Sequence, residues 1–229
     1  RSRNHHQRAP AYAAIGATYL FSKIAHLHVN FAIGSEFKYS EDFVNAKTLL
    51  IPISQSGESI DVIEPVTKKK KKGAKIASIV NVEGSTLFRI SDHAALLNSG
   101  PEKAVVATKS FTAMLSILLL TAFTYAGKES HGKYLLQKAA INVGDILTPS
   151  YIKIIEKLAQ HLNKSEHIYI IGRGFSYTAA LETALKLKEG SFIHAEAFPG
   201  GELKHGVMAL IEKGTPVVVF APNDETYAE

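Results

Sequence analysis

The sequence predicts an α/β protein: parallel sheets wrapped on both faces by helices, arranged as two related units. Three observations carry that reading. Short β-branched runs alternate with alanine-rich or amphipathic stretches of helical length along the 229 residues. Two of those runs, LLIPI at 49–53 and HIYII at 167–171, lead straight into serine- or glycine-rich turns where a helix should start. Between them, residues 134–162 read as amphipathic helix, as a bridge between two units would.

The elements follow in order. Residues 1–10, RSRNHHQRAP, lack the apolar core of a secretion signal and are read as a leader outside the fold. Residues 11–27 are apolar and alanine-rich enough for a helix, and 29–33 read as a short strand. A strand at 48–53, a helix at 58–72 closed by Gly73, a strand at 75–80, a turn at Gly84 and Ser85 and a short strand at 94–97 come next. A long helix over 108–125 ends at Gly127, and Pro149 either breaks the 134–162 stretch or opens a second helix. The second unit opens with the strand at 167–171 and a helix at 177–190, and 216–222, PVVVFAP, is a buried strand. The expected division is residues 1–130 for the first unit, then 131–229 for the bridging helix and an incomplete second unit. With only one or two of its strands present that second sheet would be poorly covered, so the natural protein is expected to continue past Glu229.

Composition narrows the function classes. No apolar run of about eighteen residues exists, so no membrane span is expected. Zero cysteines exclude disulfides, thiolate metal sites and a cysteine nucleophile within the chain, and fit a reducing, cytoplasmic setting. The net charge of +5 is concentrated in Lys68, Lys69, Lys70, Lys71, Lys72 and the first eight residues, without interleaved aromatic side chains. That pattern reads as a solvated helix end and not as a nucleic-acid surface.

Residues 49–59, LLIPISQSGES, run an apolar strand into three hydroxyls. Ser54, Gln55, Ser56 and Ser59 gather hydroxyls, an amide and exposed backbone N–H groups at a helix start, where unpaired donors and the helix dipole favour an anion. The competing reading is a plain N-cap, but a cap needs one hydroxyl and this turn has three. A second cluster lies between Lys186 and His205, where Lys186, Glu189, His194, Glu196, Glu202, Lys204 and His205 fall within twenty positions. Glu182, Lys186 and Glu189 share one helix face, as an exposed ion-pair row also would. Pro199, Gly200 and Gly201 form a turn presenting Glu202 and His205 without regular structure. A carboxylate and an imidazole beside an anion pocket suit proton transfer next to a carbonyl on a phosphorylated sugar. The pairs His5/His6, His26/His28 and His194/His205 give no convergent ligands on a helix face, and HExxH, GxSxG and GxxxxGKS are absent, so no metal or cofactor is expected. The Gly172-Arg173-Gly174 turn serves either close packing or a phosphate.

Together, SEFKYS, ISQSGES, GPEKAVVATKSFT, GRG and ALKLKEGSFIHAEAFPGGELKHGVMALI resemble the isomerase half of the glutamine–fructose-6-phosphate aminotransferase (glucosamine-6-phosphate synthase) family over residues 22–223. The resemblance implies two tandem three-layer α/β/α sugar isomerase domains, the second truncated. It implies that Ser54, Gln55, Ser56 and Ser59 hold the phosphate of fructose 6-phosphate or glucosamine 6-phosphate, and that the backbone at Val105 meets the sugar. Glu189 falls on the base moving a proton between C1 and C2, Lys186 on a lysine supporting it, and His205 on a ring-opening histidine supplied by the neighbouring subunit of a homodimer. Ammonia would come from a glutaminase domain outside this chain. Three departures stand out. The family's opening strand and Gly-Thr-Ser turn are replaced by RAPAYAAIGA, a serine of its VASTK stretch is Ala107 here, and its lysine-bearing C-terminal tail has no counterpart before Glu229. A stand-alone sugar phosphate isomerase or deglycase, or a non-catalytic sugar phosphate sensor, would share the same pocket.

Overall fold

The computed structural model describes residues 8–227, which divide into two compact units. The first holds the described residues up to Ser22 together with His26–Leu118; the second holds Lys23–Ala25 and the chain from Leu119 onward. Residues 1–7 of the expected leader lie outside the described residues. Its last three residues do not: they open helix α1 (Arg8–Leu20), where Ala9 and Pro10 are buried. Alanine and glycine at Ala13, Gly16 and Ala17 give α1 a small-residue face that buries without polar cost.

Helix α1 runs into a π-helical turn, Phe21–Ala25, closed by His26 in the left-handed conformation. The strand expected at 29–33 does not form: no strand pairs with this segment, Phe31 and Ile33 stay exposed, and the chain continues into a short helix α2 (Gly34–Phe37). An extended run without a ladder partner leaves its backbone to water. The strand expected at 48–53 forms as two short pieces, β1 (Leu49–Leu50) and β2 (Ile53–Ser54), on either side of Pro52, which has no N–H to give the ladder. Both pieces pair in parallel with β3 (Lys75–Val80), and β4 (His93–Leu96) pairs in parallel with the other edge of β3. Helix α3 (Ile60–Lys71) returns the chain from β2 to β3, and a one-turn helix α4 (Thr86–Ile90) links β3 to β4. The core is Val66, Ile76, Val80 and Leu87, with Val62, Ile63 and Leu96 packed against it. Val62, Ile63 and Val66 are three and four residues apart, so one stripe of α3 faces the sheet.

The lysine run is only in part a solvated helix end: Lys68, Lys71 and Lys72 are exposed, but Lys69 is not. Lys69 is buried beneath the same surface as Glu41, its Nζ 3.5 Å from Glu41 Oε1, while Lys68 reaches that oxygen at 2.8 Å from the exposed side. Lys70 donates to the Ile90 carbonyl at 2.7 Å and lies 3.0 Å from Asp92. The hydrogen bond from Lys68, ahead of the cost of burial, holds the Glu41 carboxyl below the usual carboxylate range.

The long helix forms as α5 (Lys109–Tyr125), whose start is fixed by Glu102: its Oε1 accepts from Thr108 N, Ser110 N and Ser110 Oγ. Pro149 opens a second helix, so the stretch expected to bridge the units is α6 (Glu129–Ile146) and α7 (Pro149–Leu162), both within the second unit, with Thr148 at the cap of α7 and proline at its first position. In the second unit β5 (His167–Gly172) is central, flanked in parallel by β6 (His194–Pro199) and β7 (Val217–Phe220). Helix α8 (Phe175–Ser191) crosses from β5 to β6 and buries Ala180 and Ala184 against Ile168, Ile170 and Ala195. Small residues on α8 let helix and sheet approach closely, and each fully buried isoleucine contributes roughly 1.5–3 kcal/mol. Parallel sheets with helical crossovers make the chain an α/β protein, as expected. Among the described residues no helix is long and apolar enough to cross a membrane.

Candidate functional site

In the first unit the serine-rich turn sits where β2 gives way to α3. Ser54 is buried and its Oγ accepts from Gly57 N at 3.0 Å; Ser56 Oγ accepts from Glu58 N at 3.2 Å. Ser59 occupies the N-cap position with extended backbone, yet its side chain makes no capping hydrogen bond. The plain N-cap reading therefore fails. A serine hydroxyl has one hydrogen to donate and two lone pairs to accept with. Among the described residues none of these three hydroxyls donates to a protein acceptor, so three O–H donors remain at one helix start.

The turn is held from behind. Gly57 has φ +67°, and a Cβ there would stand 2.1 Å from Ser85 Oγ, so no other residue fits without moving the Gly84–Ser85 turn. Leu87 N donates to the Gly57 carbonyl at 3.0 Å, and Thr86 N donates to Glu58 Oε1 at 2.8 Å. That Thr86 N–H, joined by the Thr86 hydroxyl, keeps the Glu58 carboxyl below its ordinary range.

Beside the turn a cleft of about 630 Å³ opens at the carboxyl ends of β3 and β4, lined among others by Gln55, Asn81, Asn98, Gly100 and Glu102. Ligands of open parallel α/β sheets bind at that end of the strands. Of the residues singled out from sequence, Gln55 lines the cleft, while the three serines are not among its walls. Asn81 escaped the sequence reading. Its amide donates to the Gly100 carbonyl at 2.8 Å, and its Oδ1 accepts from Ser99 N and Ser99 Oγ at 3.1 and 2.9 Å, which fixes the far wall. No signal short of the folded chain distinguishes it from a turn asparagine. Glu102 is the other missed residue. Burial pushes its carboxyl up, but hydrogen bonds from Ser110 and Thr108 and the charge of Lys109 outweigh burial and hold it below the usual value. Val105 lies in the irregular segment before α5 and is 59% exposed.

In the second unit α8 brings Glu182, Lys186 and Glu189 together. The Lys186 ammonium lies 3.0 Å from Glu182 Oε1 and donates to Glu189 Oε2 at 3.0 Å. These are not exposed surface pairs: the side chains are 9%, 21% and 13% exposed for Glu182, Lys186 and Glu189. One ammonium serves two carboxyl groups. Burial pushes the Glu182 carboxyl up, Lys186 opposes it, and the charge of Glu189 adds to the rise. Neither Glu182 oxygen receives a well-aligned hydrogen bond.

The segment after α8 is more regular than expected. Residues 194–199 form β6, and the turn after Pro199 is built of two 3₁₀ turns, Glu202–Lys204 and Val207–Leu210, because the glycines at 200, 201 and 206 permit tight successive bends. His205 ends the first of them, exposed, with no hydrogen bond to its ring among the described residues. Glu189 and His205 are thus in the same unit without a direct bond. His194 pairs with His167, away from that set. Gly172 is a packing glycine, since a Cβ there would meet the Ser176 carbonyl oxygen at 2.3 Å.

Two parallel α/β units, one with a donor-rich turn at a strand end and one with a lysine-bridged carboxylate pair, make up the described chain. The chain belongs to the SIS domain family, whose model matches residues 9–124 and 161–228. It is 38% identical over 224 residues to glutamine–fructose-6-phosphate aminotransferase (isomerizing) of Caldanaerobacter subterraneus, which covers 94% of this chain and 36% of that protein. The protein of the same name from Brucella abortus is 40% identical over 227 residues, covering 94% and 37%. The chain thus spans a little over a third of the length of these relatives. The C-terminal domain of glucosamine-fructose-6-phosphate aminotransferase from Francisella tularensis superposes with a TM-score of 0.88 at 36% identity, over 96% of this chain and 64% of that one. Glucosamine-6-phosphate deaminase from Thermotoga maritima shares the fold at 24% identity, with a TM-score of 0.79 over 96% and 68%.

Proposed function

We propose that this chain is the sugar phosphate isomerase part of a glucosamine-6-phosphate synthase, forming glucosamine 6-phosphate from fructose 6-phosphate and ammonia. The two sugar isomerase domains divide near residue 130, and a glutaminase domain outside this chain supplies the ammonia. The observation that carries the proposal is the lysine-bridged carboxylate pair on α8, in a chain whose relatives bear the synthase name along 94% of its length. A sensor has no use for a charged, half-buried carboxylate held ready for a proton.

In this reading Ser54, Ser56, Ser59 and the Gln55 amide hold the phosphate; the three undirected O–H groups are the support for it. The Val105 backbone borders the sugar. Glu189 takes the proton from C1 of the ketose-derived intermediate and returns it to C2. Its carboxylate is paired with Lys186, which Glu182 also approaches from the other side of the helix turn. His205 opens the ring from the neighbouring subunit of a cytoplasmic homodimer, which its exposure and unpaired ring support. Proton transfer here runs through side chains of the chain, without a resident metal or cofactor.

Calorimetric titration tests the anion half of this reading. Ser56→Ala should weaken fructose 6-phosphate and inorganic phosphate by about 1.5–3 kcal/mol, roughly ten- to a hundredfold, while Glu189→Gln binds both like the parent chain. Equal binding of both ligands by Ser56→Ala would remove the nest from the site.

A further inference from the structure

We propose that His167 and His194 form a two-histidine site for a divalent transition cation at the amino-terminal edge of the second sheet. His167 opens β5, His194 opens β6, and the parallel register sets them directly opposite one another. Their Nδ1 atoms are 3.2 Å apart and their ring centroids 5.3 Å apart. Two imidazole nitrogens on one metal, each at about 2.0–2.1 Å, stand roughly 2.9 Å apart at a right angle and roughly 3.4 Å apart at the tetrahedral angle. The observed separation falls between those limits.

Without a cation the two rings can share one proton, one Nδ1–H donating and the other Nδ1 accepting. A cation replaces that proton: both Nδ1 lone pairs turn to it and both Nε2 atoms carry hydrogen toward water. Both side chains are exposed, so a hydrated ion reaches them without opening the fold. The ladder from His167 to Gly172 already fixes the two backbones, so binding need order only the side chains. Among the described residues no third histidine or carboxylate joins the pair, and water completes the shell. Neutral imidazole nitrogen selects zinc, nickel or copper over magnesium and calcium. The residues are 27 positions apart in sequence, and only the parallel pairing of β5 and β6 brings them together.

Thermal unfolding of the 229-residue chain with zinc chloride, nickel chloride or magnesium chloride tests the proposal. A site present only in the folded state raises the midpoint with the logarithm of cation concentration. The expected result is a rise with zinc and nickel, none with magnesium, and loss of the rise in both His167→Ala and His194→Ala. His5→Ala/His6→Ala, which removes the adjacent histidine pair near the start of the sequence, should keep it. Copper(II) bound to the parent chain should show electron paramagnetic resonance hyperfine structure from two equatorial imidazole nitrogens, a readout independent of how the variants fold. No rise with zinc or nickel, a rise that survives both single substitutions, or a one-nitrogen copper signal overturns it.

Discussion

Gly57 concentrates the demands on the serine turn in one residue. It carries a left-handed backbone and touches Ser85 where a methyl group would sit, so Gly57→Ala combines strain with overpacking. The expected loss of stability is about 1–3 kcal/mol by urea unfolding, together with weakened phosphate binding. Glu41 makes a different demand. Glu41→Gln leaves the Lys69 ammonium buried without its counter-charge, and should cost about 2–4 kcal/mol in the same assay. Glu182 has a signature in pH. Its folded-state pKa is raised above the unfolded value near 4.5, so its contribution to stability is fully present below that value and lost as pH rises through the folded one. Glu182→Gln should therefore gain stability relative to the parent chain as pH rises through that window. Glu102 has the opposite sign: held low, it contributes above the ordinary carboxylate range and loses that contribution as pH falls, so Glu102→Gln should flatten acid unfolding.

Among the elements, legibility in the sequence followed where each segment finds its hydrogen-bond partners. The strand at 75–80 and the helices beginning near 60, 109 and 175 were readable because periodicity and flanking turns agree with what the sheet requires. The segment at 29–33 looked like a strand because β-branched and aromatic residues mark strands, but strand formation depends on a neighbour that sequence does not name. Strand β6 is hidden in the sequence because HAEAFP alternates over few positions and carries no β-branched residue to mark a strand. The lysine run misled for a related reason: five like charges read as solvated, and only the fold reveals that Glu41, far back in sequence, waits beneath Lys69. The site divides the same way. Lys186 and Glu189 were legible because helical spacing fixes their proximity, whereas Asn81 and the His167–His194 pair depend on long-range register.

For the whole molecule, the donor hydroxyls lie in the first unit and the ion-paired carboxylate in the second. If His205 serves the site of a neighbouring copy, inactive Glu189→Gln and His205→Ala chains should rescue one another on mixing. Random reassortment of dimers leaves one intact site in each mixed pair, so about a quarter of parent activity should return. No rescue, with mixed dimers demonstrated by size and mass, would place His205 outside a shared site. The most direct measurement follows fructose 6-phosphate by proton resonance in deuterium oxide with this chain present. The account predicts that deuterium enters at C1, that Glu189→Gln binds the sugar phosphate equally well, and that this variant slows exchange by about 10²–10⁴-fold. Exchange that proceeds unchanged in Glu189→Gln would contradict the assignment of the base.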